Sequence, residues 1–183
     1  MDKLTGLYEE KSFFLRLKDE VSRAGRYKRP FTVLVFEVNF SCFEKTSDLR
    51  WGIGYSIFKQ IGALLRKVYR TVDILGRCEG DTFGAVLPET SPEGGRLAAE
   101  RFRKAVEEYR FIGDAQQERV QVAVDGGMAF FPVHGKSARE LFASAYRAMK
   151  LAQSKGGNRV EEPPETLYEE GSSLPSPPTV RMS

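Results

Sequence analysis

The residues with the clearest capacity for chemistry are charged side chains in the middle of the chain. Arg70 and Asp73 stand three residues apart, and Glu79 and Asp81 follow in the short segment Cys78–Thr82. A guanidinium donates hydrogen bonds in a fixed planar fork, and a carboxylate accepts them, so the two together can bind a polar ligand. Carboxylate oxygens are also the hard ligands that magnesium prefers. The alternative is that Arg70 merely ends a helix and Asp73 merely begins a strand.

The segments around these residues alternate between helical and extended patterns. Apolar residues at helical spacing predict four helices, and β-branched or alternating runs predict about five strands. Helices interleaved with a hairpin favour an α/β fold with helices on both faces of one sheet. The predicted elements, in chain order, are a helix over Phe13–Ala24 that stops before Pro30, a strand over Phe31–Asn39, a helix over Ile53–Val68, hairpin strands over Asp73–Arg77 and Phe83–Leu87, a helix through Leu97, Phe102 and Val106, a strand from Val120 towards Phe131, a helix over Leu141–Ala152 and an edge strand at Arg159–Val160.

Composition limits the classes of protein to which the chain can belong. Its 183 residues suffice for one domain, and a net charge of +3 does not argue for nucleic-acid binding. The longest apolar run, Phe31 to Val38, is too short to span a membrane. Two cysteines, Cys42 and Cys78, form no disulfide framework, so we expect free thiols and a cytoplasmic location.

The C-terminal segment, residues 161–183, differs from the rest in composition. It contains five prolines and five glutamates with one arginine. Such a segment buries too little apolar surface to offset its ordering entropy, so we predict a disordered tail. We expect residues 1–160 to form the folded domain by themselves.

The chain resembles the GGDEF family of diguanylate cyclases over residues 2–160. The similar segments are Asp2-Lys3-Leu4-Thr5-Gly6-Leu7, Arg77-Cys78-Glu79-Gly80-Asp81-Thr82-Phe83, Gly127-Met128-Ala129 and Gly156-Gly157-Asn158-Arg159-Val160. The resemblance implies a nucleotide-cyclase-like (palm, ferredoxin-like) domain with a mostly antiparallel sheet. It also implies a role in bacterial cyclic di-GMP signalling, although a fold does not by itself imply an activity.

The family holds magnesium with two carboxylates, and the resemblance assigns these positions to Glu37 and Asp81. Glu37 replaces the usual aspartate and is one methylene longer, whereas Asp81 has acceptable chemistry and is also the candidate catalytic residue. We therefore expect magnesium as a cofactor only if this pair still binds it. The alternative is that Glu37 and Asp81 are leftover polar groups at a strand end and a hairpin turn.

The phosphate-binding positions depart from the family pattern. Glu79 replaces the first glycine of the signature and adds bulk and negative charge beside a polyanion. Gln153 and Gly157 align with the family's phosphate-binding lysine and arginine. Lys155 is close in sequence and could compensate in part, or it could be a solvated helix end.

The guanine-reading positions depart as well. The family's asparagine falls near Thr46, and its aspartate aligns with Tyr55. Thr82 occupies the fourth signature position, which is normally acidic. Trp51 and Tyr55 could partly fill the former guanine pocket, or they could pack on the surface.

One family feature is retained, since Arg70-Thr71-Val72-Asp73 resembles the Arg-x-x-Asp motif of the inhibitory product site. We expect a regulatory or interaction module without catalysis, with cyclic di-GMP or GTP, a signalling protein and a second copy of the chain as candidate partners. Nucleic acid and membrane are not expected partners. The alternative is a divergent but active cyclase. The family usually carries an upstream sensory domain, so we expect a separate partner, or a segment beyond this chain, to supply the signal.

Overall fold

The computed structural model describes residues 1–39, 50–113 and 119–164. Four long helices alternate with the strands of a central sheet, as the apolar spacing predicts. The elements are β1 (Tyr8–Glu9), α1 (Glu10–Tyr27), β2 (Phe31–Asn39), α2 (Arg50–Val68), β3 (Ile74–Arg77), β4 (Thr82–Pro88), α3 (Pro92–Glu108), β5 (Phe111–Ile112), β6 (Arg119–Val120), β7 (Ala123–Phe131), α4 (Ala138–Ser154) and β8 (Val160–Glu161).

The main sheet has six strands in the order β1-β3-β4-β2-β7-β8. Its four central strands are antiparallel, and β1 and β8 are short parallel strands at the two edges. The predicted fold class is confirmed, with one strand more than the five expected in this sheet. The additional strand, β1, has two residues, which is too short for an alternating pattern to reveal.

Alternating residues of β2 divide the core into two layers. Leu34, Phe36 and Val38 pack with α2 and α3 on one face, and Val33 and Val35 pack with α1 and α4 on the other. All five side chains are buried, because successive residues of a strand point to opposite faces. Glu37 follows Val35 on its face, so it is directed towards α4.

The C-terminal end of the described chain is attached to the domain. Strand β8 pairs with β7 across Gly126–Val160 and Gly127–Glu161, and Glu162 forms an ion pair with Arg96 of α3. The predicted boundary after residue 160 therefore falls within β8. Residues 165–183 of the predicted tail lie outside the described residues.

Candidate functional site

The hairpin turn between β3 and β4 positions Asp81. The Cys78 amide donates to the Thr82 carbonyl, and the Thr82 amide donates to the Glu79 carbonyl, each at 2.8 Å. Gly80 has a φ of +56°, a conformation that glycine adopts without steric cost. Glu79 is exposed, so its carboxylate is solvated at the edge of the turn.

Arg77 fastens this hairpin turn to its surroundings. Its Nε and Nη2 donate to the Gly80 carbonyl at 3.0 and 2.8 Å. The guanidinium lies 4.5 Å from the centroid of the Phe58 ring, and Nη1 is 3.6 Å from an Asp2 carboxylate oxygen. These three contacts restrain the Arg77 side chain, and Arg77 in turn holds the hairpin turn in one conformation.

The Glu37 and Asp81 carboxylates come together at the same end of the sheet. Glu37 is paired with Thr82 in the β2–β4 register, and the Val38 amide donates to the Asp81 carbonyl at 3.1 Å. Burial, and after it the charge of Glu37, raise the pKa of Asp81, while Lys150 and Arg77 oppose the rise. The two residues predicted from the resemblance thus lie within electrostatic reach of each other.

Helix α4 covers Glu37 with two polar side chains. Gln153 Nε2 donates to Glu37 Oε1 at 2.6 Å, and Lys150 Nζ donates to Glu37 Oε2 at 2.9 Å. Lys150 Nζ also donates to Gln153 Oε1 at 3.0 Å, which closes a ring of three bonds. We call Glu37, Lys150 and Gln153 the Glu37 ring. Sequence reasoning found Glu37 and Gln153 but missed Lys150, although it lies one helical turn before Gln153 on the same face.

The Glu37 ring determines how well the site suits a divalent metal ion. Both oxygens of Glu37 already accept a hydrogen bond, and one of the donors is a cation. Among the described residues, no group of three or more acidic, histidine or cysteine side chains converges on one point. Since an ammonium repels a divalent cation, this donor set does not fit a resident magnesium ion.

The loop after α4 presents no free cation at the predicted phosphate positions. Lys155 Nζ forms an ion pair with Glu161 at 2.9 Å. Gly157 has a φ of +72°, and a Cβ there would lie 2.8 Å from an Asp125 carboxylate oxygen, so the family's arginine would be strained at this position. Asp125, which is 2% exposed, also accepts the Asn158 amide at 2.7 Å. Sequence reasoning missed Asp125, because an acidic residue inside a strand carries no local signal of its partners.

The guanine-reading positions are only partly described. Thr46 and the side chain of Trp51 lie outside the described residues. Tyr55 is 60% exposed, which favours surface placement over filling a pocket. A mostly exposed ring contributes little to excluding a ligand.

Arg70 and Asp73 form a closed turn at the opposite end of α2 from Tyr55. The Asp73 amide donates to the Arg70 carbonyl at 3.0 Å, and the Arg70 amide donates to Asp73 Oδ2 at 2.8 Å. The Arg70 side chain is exposed, and its guanidinium makes no hydrogen bond to any residue within the described ranges. The turn therefore holds a guanidinium and a carboxylate side by side, with the guanidinium open to solvent.

A second arginine from α3, Arg101, completes this surface. Its Nη2 donates to the Val68 carbonyl at 3.1 Å. Burial raises the pKa of Asp73, and the backbone bond from Arg70 and the charges of Arg70 and Arg101 oppose that rise. We call Arg70, Asp73 and Arg101 the arginine turn. Sequence reasoning missed Arg101, because 28 residues separate it from Asp73 and no pattern links them.

No helix in the described part of the chain is long and apolar enough to cross a bilayer.

Burial, and next the charge of Glu79, raise the pKa of Glu10 at the start of α1. Glu79 therefore lies within electrostatic reach of a second carboxylate, and the two negative charges oppose a phosphate group there.

Comparisons with known proteins show which family and fold the chain resembles. A family model described as the GGDEF domain of diguanylate cyclases matches residues 1–159. Diguanylate cyclase DosC of Escherichia coli is 31% identical over 163 residues, which cover 88% of this chain and 34% of the relative. The chain thus spans about a third of the length of this relative.

Two solved structures share the fold at low sequence identity. One is the coiled coil and GGDEF domain of DgcB from Caulobacter crescentus in complex with c-di-GMP, with a TM-score of 0.78 at 21% identity over 88% of this chain and 84% of that one. The other is diguanylate cyclase SiaD of Pseudomonas aeruginosa in complex with its activator SiaC, with a TM-score of 0.76 at 23% identity over 87% of this chain and 60% of that one.

Proposed function

Since the chain belongs to the GGDEF family of diguanylate cyclases, we propose that it is a signalling domain that binds cyclic di-GMP at the arginine turn and makes none. It acts because a protein partner binds the nucleotide-bound form and the nucleotide-free form with different affinities. The carrying observation is the pair of bonds between Arg70 and Asp73, at 2.8 and 3.0 Å, which fixes the backbone of the turn and the Asp73 carboxylate before any ligand arrives, beside an exposed Arg70 side chain.

The chemistry of the arginine turn suits a guanine base attached to a phosphate. The exposed Arg70 guanidinium can donate two parallel hydrogen bonds to O6 and N7. Asp73 uses Oδ2 for the Arg70 amide, which leaves Oδ1 to accept from N1–H or N2–H. Arg101 adds positive charge, which attracts the dianionic dinucleotide.

The residues around Glu37 support the proposal that the domain does not make cyclic di-GMP. The Glu37 ring occupies both oxygens of a carboxylate that the family uses for metal. Gln153 and Gly157 supply no charge to a triphosphate, and Glu79 adds repulsion. The triphosphate of GTP would therefore lack the two cations that the family pattern supplies at positions 153 and 157.

A protein partner and a second copy of the chain are also proposed as ligands. DgcB is known in complex with c-di-GMP and SiaD in complex with its activator. By analogy we expect nucleotide binding and protein binding to be coupled in this chain, so that one alters the affinity for the other.

A second candidate function is that of a divergent but active diguanylate cyclase. The observation that favours it is the approach of Glu37 and Asp81, whose carboxylates interact across neighbouring strands. In that case Lys150 would have to leave Glu37 when nucleotide and metal bind. We rank this function second because it needs the Glu37 ring to open.

Calorimetric titration tests the first function against the second. In magnesium buffer we expect saturable heat with cyclic di-GMP and none with GTP. Arg70→Ala should weaken cyclic di-GMP binding by roughly 10- to 100-fold, because a charge-assisted bond contributes about 1.5–3 kcal/mol. Lys67→Ala is the matched control, since Lys67 is an exposed cation one turn earlier and should change affinity only slightly.

Equal affinity of the parent and Arg70→Ala for cyclic di-GMP would contradict this location of the ligand. Tight binding of GTP together with weak binding of cyclic di-GMP would instead favour the second function. The melting temperature of each variant, measured without nucleotide, shows whether a loss of binding is a loss of folding.

A further inference from the structure

The Lys150 ammonium is held more firmly at Glu37 than an ordinary surface lysine would be. It donates to Glu37 Oε2 at 2.9 Å and to Gln153 Oε1 at 3.0 Å, and it lies 5.3 Å from the centroid of the Tyr146 ring. Glu37 itself is only 20% exposed. A cation with a carboxylate, an amide oxygen and an aromatic face around it is better fixed than a single exposed ion pair.

The same ammonium also acts on the second carboxylate. Burial, and after it the charge of Glu37, raise the pKa of Asp81, and Lys150 and Arg77 are the cations that oppose this rise. Lys150 therefore offsets negative charge at this end of the sheet. A divalent ion bound through Glu37 would need to lie beside its Oε2 oxygen, where the ammonium already lies at 2.9 Å.

The two cations exclude each other for simple electrostatic reasons. An ammonium and a divalent ion a few ångströms apart repel strongly, and magnesium needs oxygen ligands with near-octahedral geometry. Gln153 strengthens the exclusion because its amide N–H occupies the remaining oxygen of Glu37 at 2.6 Å. Each oxygen of Glu37 thus has one of its two lone pairs engaged, which reduces what the carboxylate can offer a metal ion.

We propose that Lys150 is the built-in cation of this site: its ammonium takes the place of a divalent metal ion at Glu37 and keeps metal out. Lys150 is thus a specificity-determining residue that selects the metal-free form of the domain. This inference deepens the proposed loss of catalysis but depends on the Glu37 ring alone.

The test measures Mn²⁺ binding to the full chain without nucleotide, by electron paramagnetic resonance of the free ion. We expect the parent protein to show no saturable binding that depends on Glu37. Lys150→Met removes the charge and keeps the length of the side chain, and it should bind Mn²⁺ at least roughly tenfold more tightly than the parent. Its melting temperature should rise with Mn²⁺ concentration, as a ligand of the native state requires.

Two further variants separate the charge of Lys150 from its packing. Lys155→Met is the matched control, because Lys155 is 45% exposed against 44% for Lys150 and also pairs with one glutamate. It should leave Mn²⁺ binding unchanged. Lys150→Arg keeps the cation and should exclude Mn²⁺ like the parent. This variant still tests the proposal if Lys150→Met does not fold.

Saturable Mn²⁺ binding by the parent that disappears in Glu37→Gln would overturn the proposal. A folded Lys150→Met variant with no gain in Mn²⁺ binding would overturn it too, and so would Lys150→Arg binding Mn²⁺ more tightly than the parent. These results are independent of whether cyclic di-GMP is bound or made, because no nucleotide is present.

Discussion

Purified protein incubated with GTP and either magnesium or manganese is expected to accumulate no detectable cyclic di-GMP. The reaction would require electrostatic stabilisation of a phosphoryl transition state and positioning of two nucleotides. Gln153 and Gly157 supply no cation to the phosphates, and each missing charge-assisted contact costs about ten- to a hundredfold in rate. Two such losses give a reduction of roughly 10²- to 10⁴-fold, before the repulsion from Glu79 is added.

The assay is best run at high protein concentration with chromatographic detection of the dinucleotide. Glu79→Gly should not restore activity, because it leaves both phosphate positions without charge and leaves the Glu37 ring in place. Asp81→Ala is the control that identifies any signal as arising from this site. Steady production of cyclic di-GMP by the parent, lost in Asp81→Ala, would establish the divergent enzyme instead.

The second large effect is expected from Gly127→Ala, at the contact between β7 and α4. A Cβ at residue 127 would lie far inside contact distance of the Ala145 carbonyl and the Met149 amide. These are backbone atoms of a helix, so they cannot move aside as a flexible side chain would. We expect a loss of about 3 kcal/mol in the free energy of unfolding, at the upper end of usual overpacking costs.

Denaturant unfolding followed by circular dichroism measures the loss in the free energy of unfolding, and thermal unfolding followed in the same way measures the melting temperature. The melting temperature should fall by roughly 6–12 °C, given about 2–4 °C per kcal/mol for a chain of this size. Gly25→Ala is the matched control, because it lies in α1 with no atom within 4 Å of the added Cβ. It should leave the protein as stable as the parent or more stable by roughly 0.5–1 kcal/mol.

The same substitution should also disturb the site. Helix α4 carries Lys150 and Gln153, and its close approach to β7 brings both to Glu37. Lifting α4 away from Gly127 would lengthen the bonds of the Glu37 ring. A Gly127→Ala protein as stable as the parent would contradict the prediction, because it would mean that the backbone of α4 lies farther from β7 than the structure shows.

Much of the fold follows from the sequence, because its signals are local. The apolar spacing of Phe13, Leu17 and Ala24 predicts α1, and the uninterrupted run Phe31–Asn39 predicts a strand covered on both faces. The charged segment at Gly80 between two short apolar runs predicts the hairpin. In each case the residues that form the pattern are also the residues that form the element, so no distant contact is needed to infer it.

One edge strand of the sheet cannot be predicted in this way. Strand β1 has only Tyr8 and Glu9, and it exists because the chain there runs beside β3. Two residues contain no period, so their pairing depends on where α1 and the hairpin are packed. The opposite edge strand is predicted at Arg159–Val160 from its resemblance to the family's C-terminal segment, and the structure has it at Val160–Glu161.

For the candidate sites, the sequence by itself determined which groups are present and which are missing. It identified Glu37, Asp81, Arg70 and Asp73, and it showed that no cation stands at Gln153 or Gly157. Only the tertiary structure decided that Lys150 reaches Glu37 across 113 residues and that Arg101 joins the arginine turn. The physical reason is that a hydrogen bond or charge pair depends on distance in space, and the stacking of α3 and α4 on the sheet sets that distance without any periodic trace in the sequence.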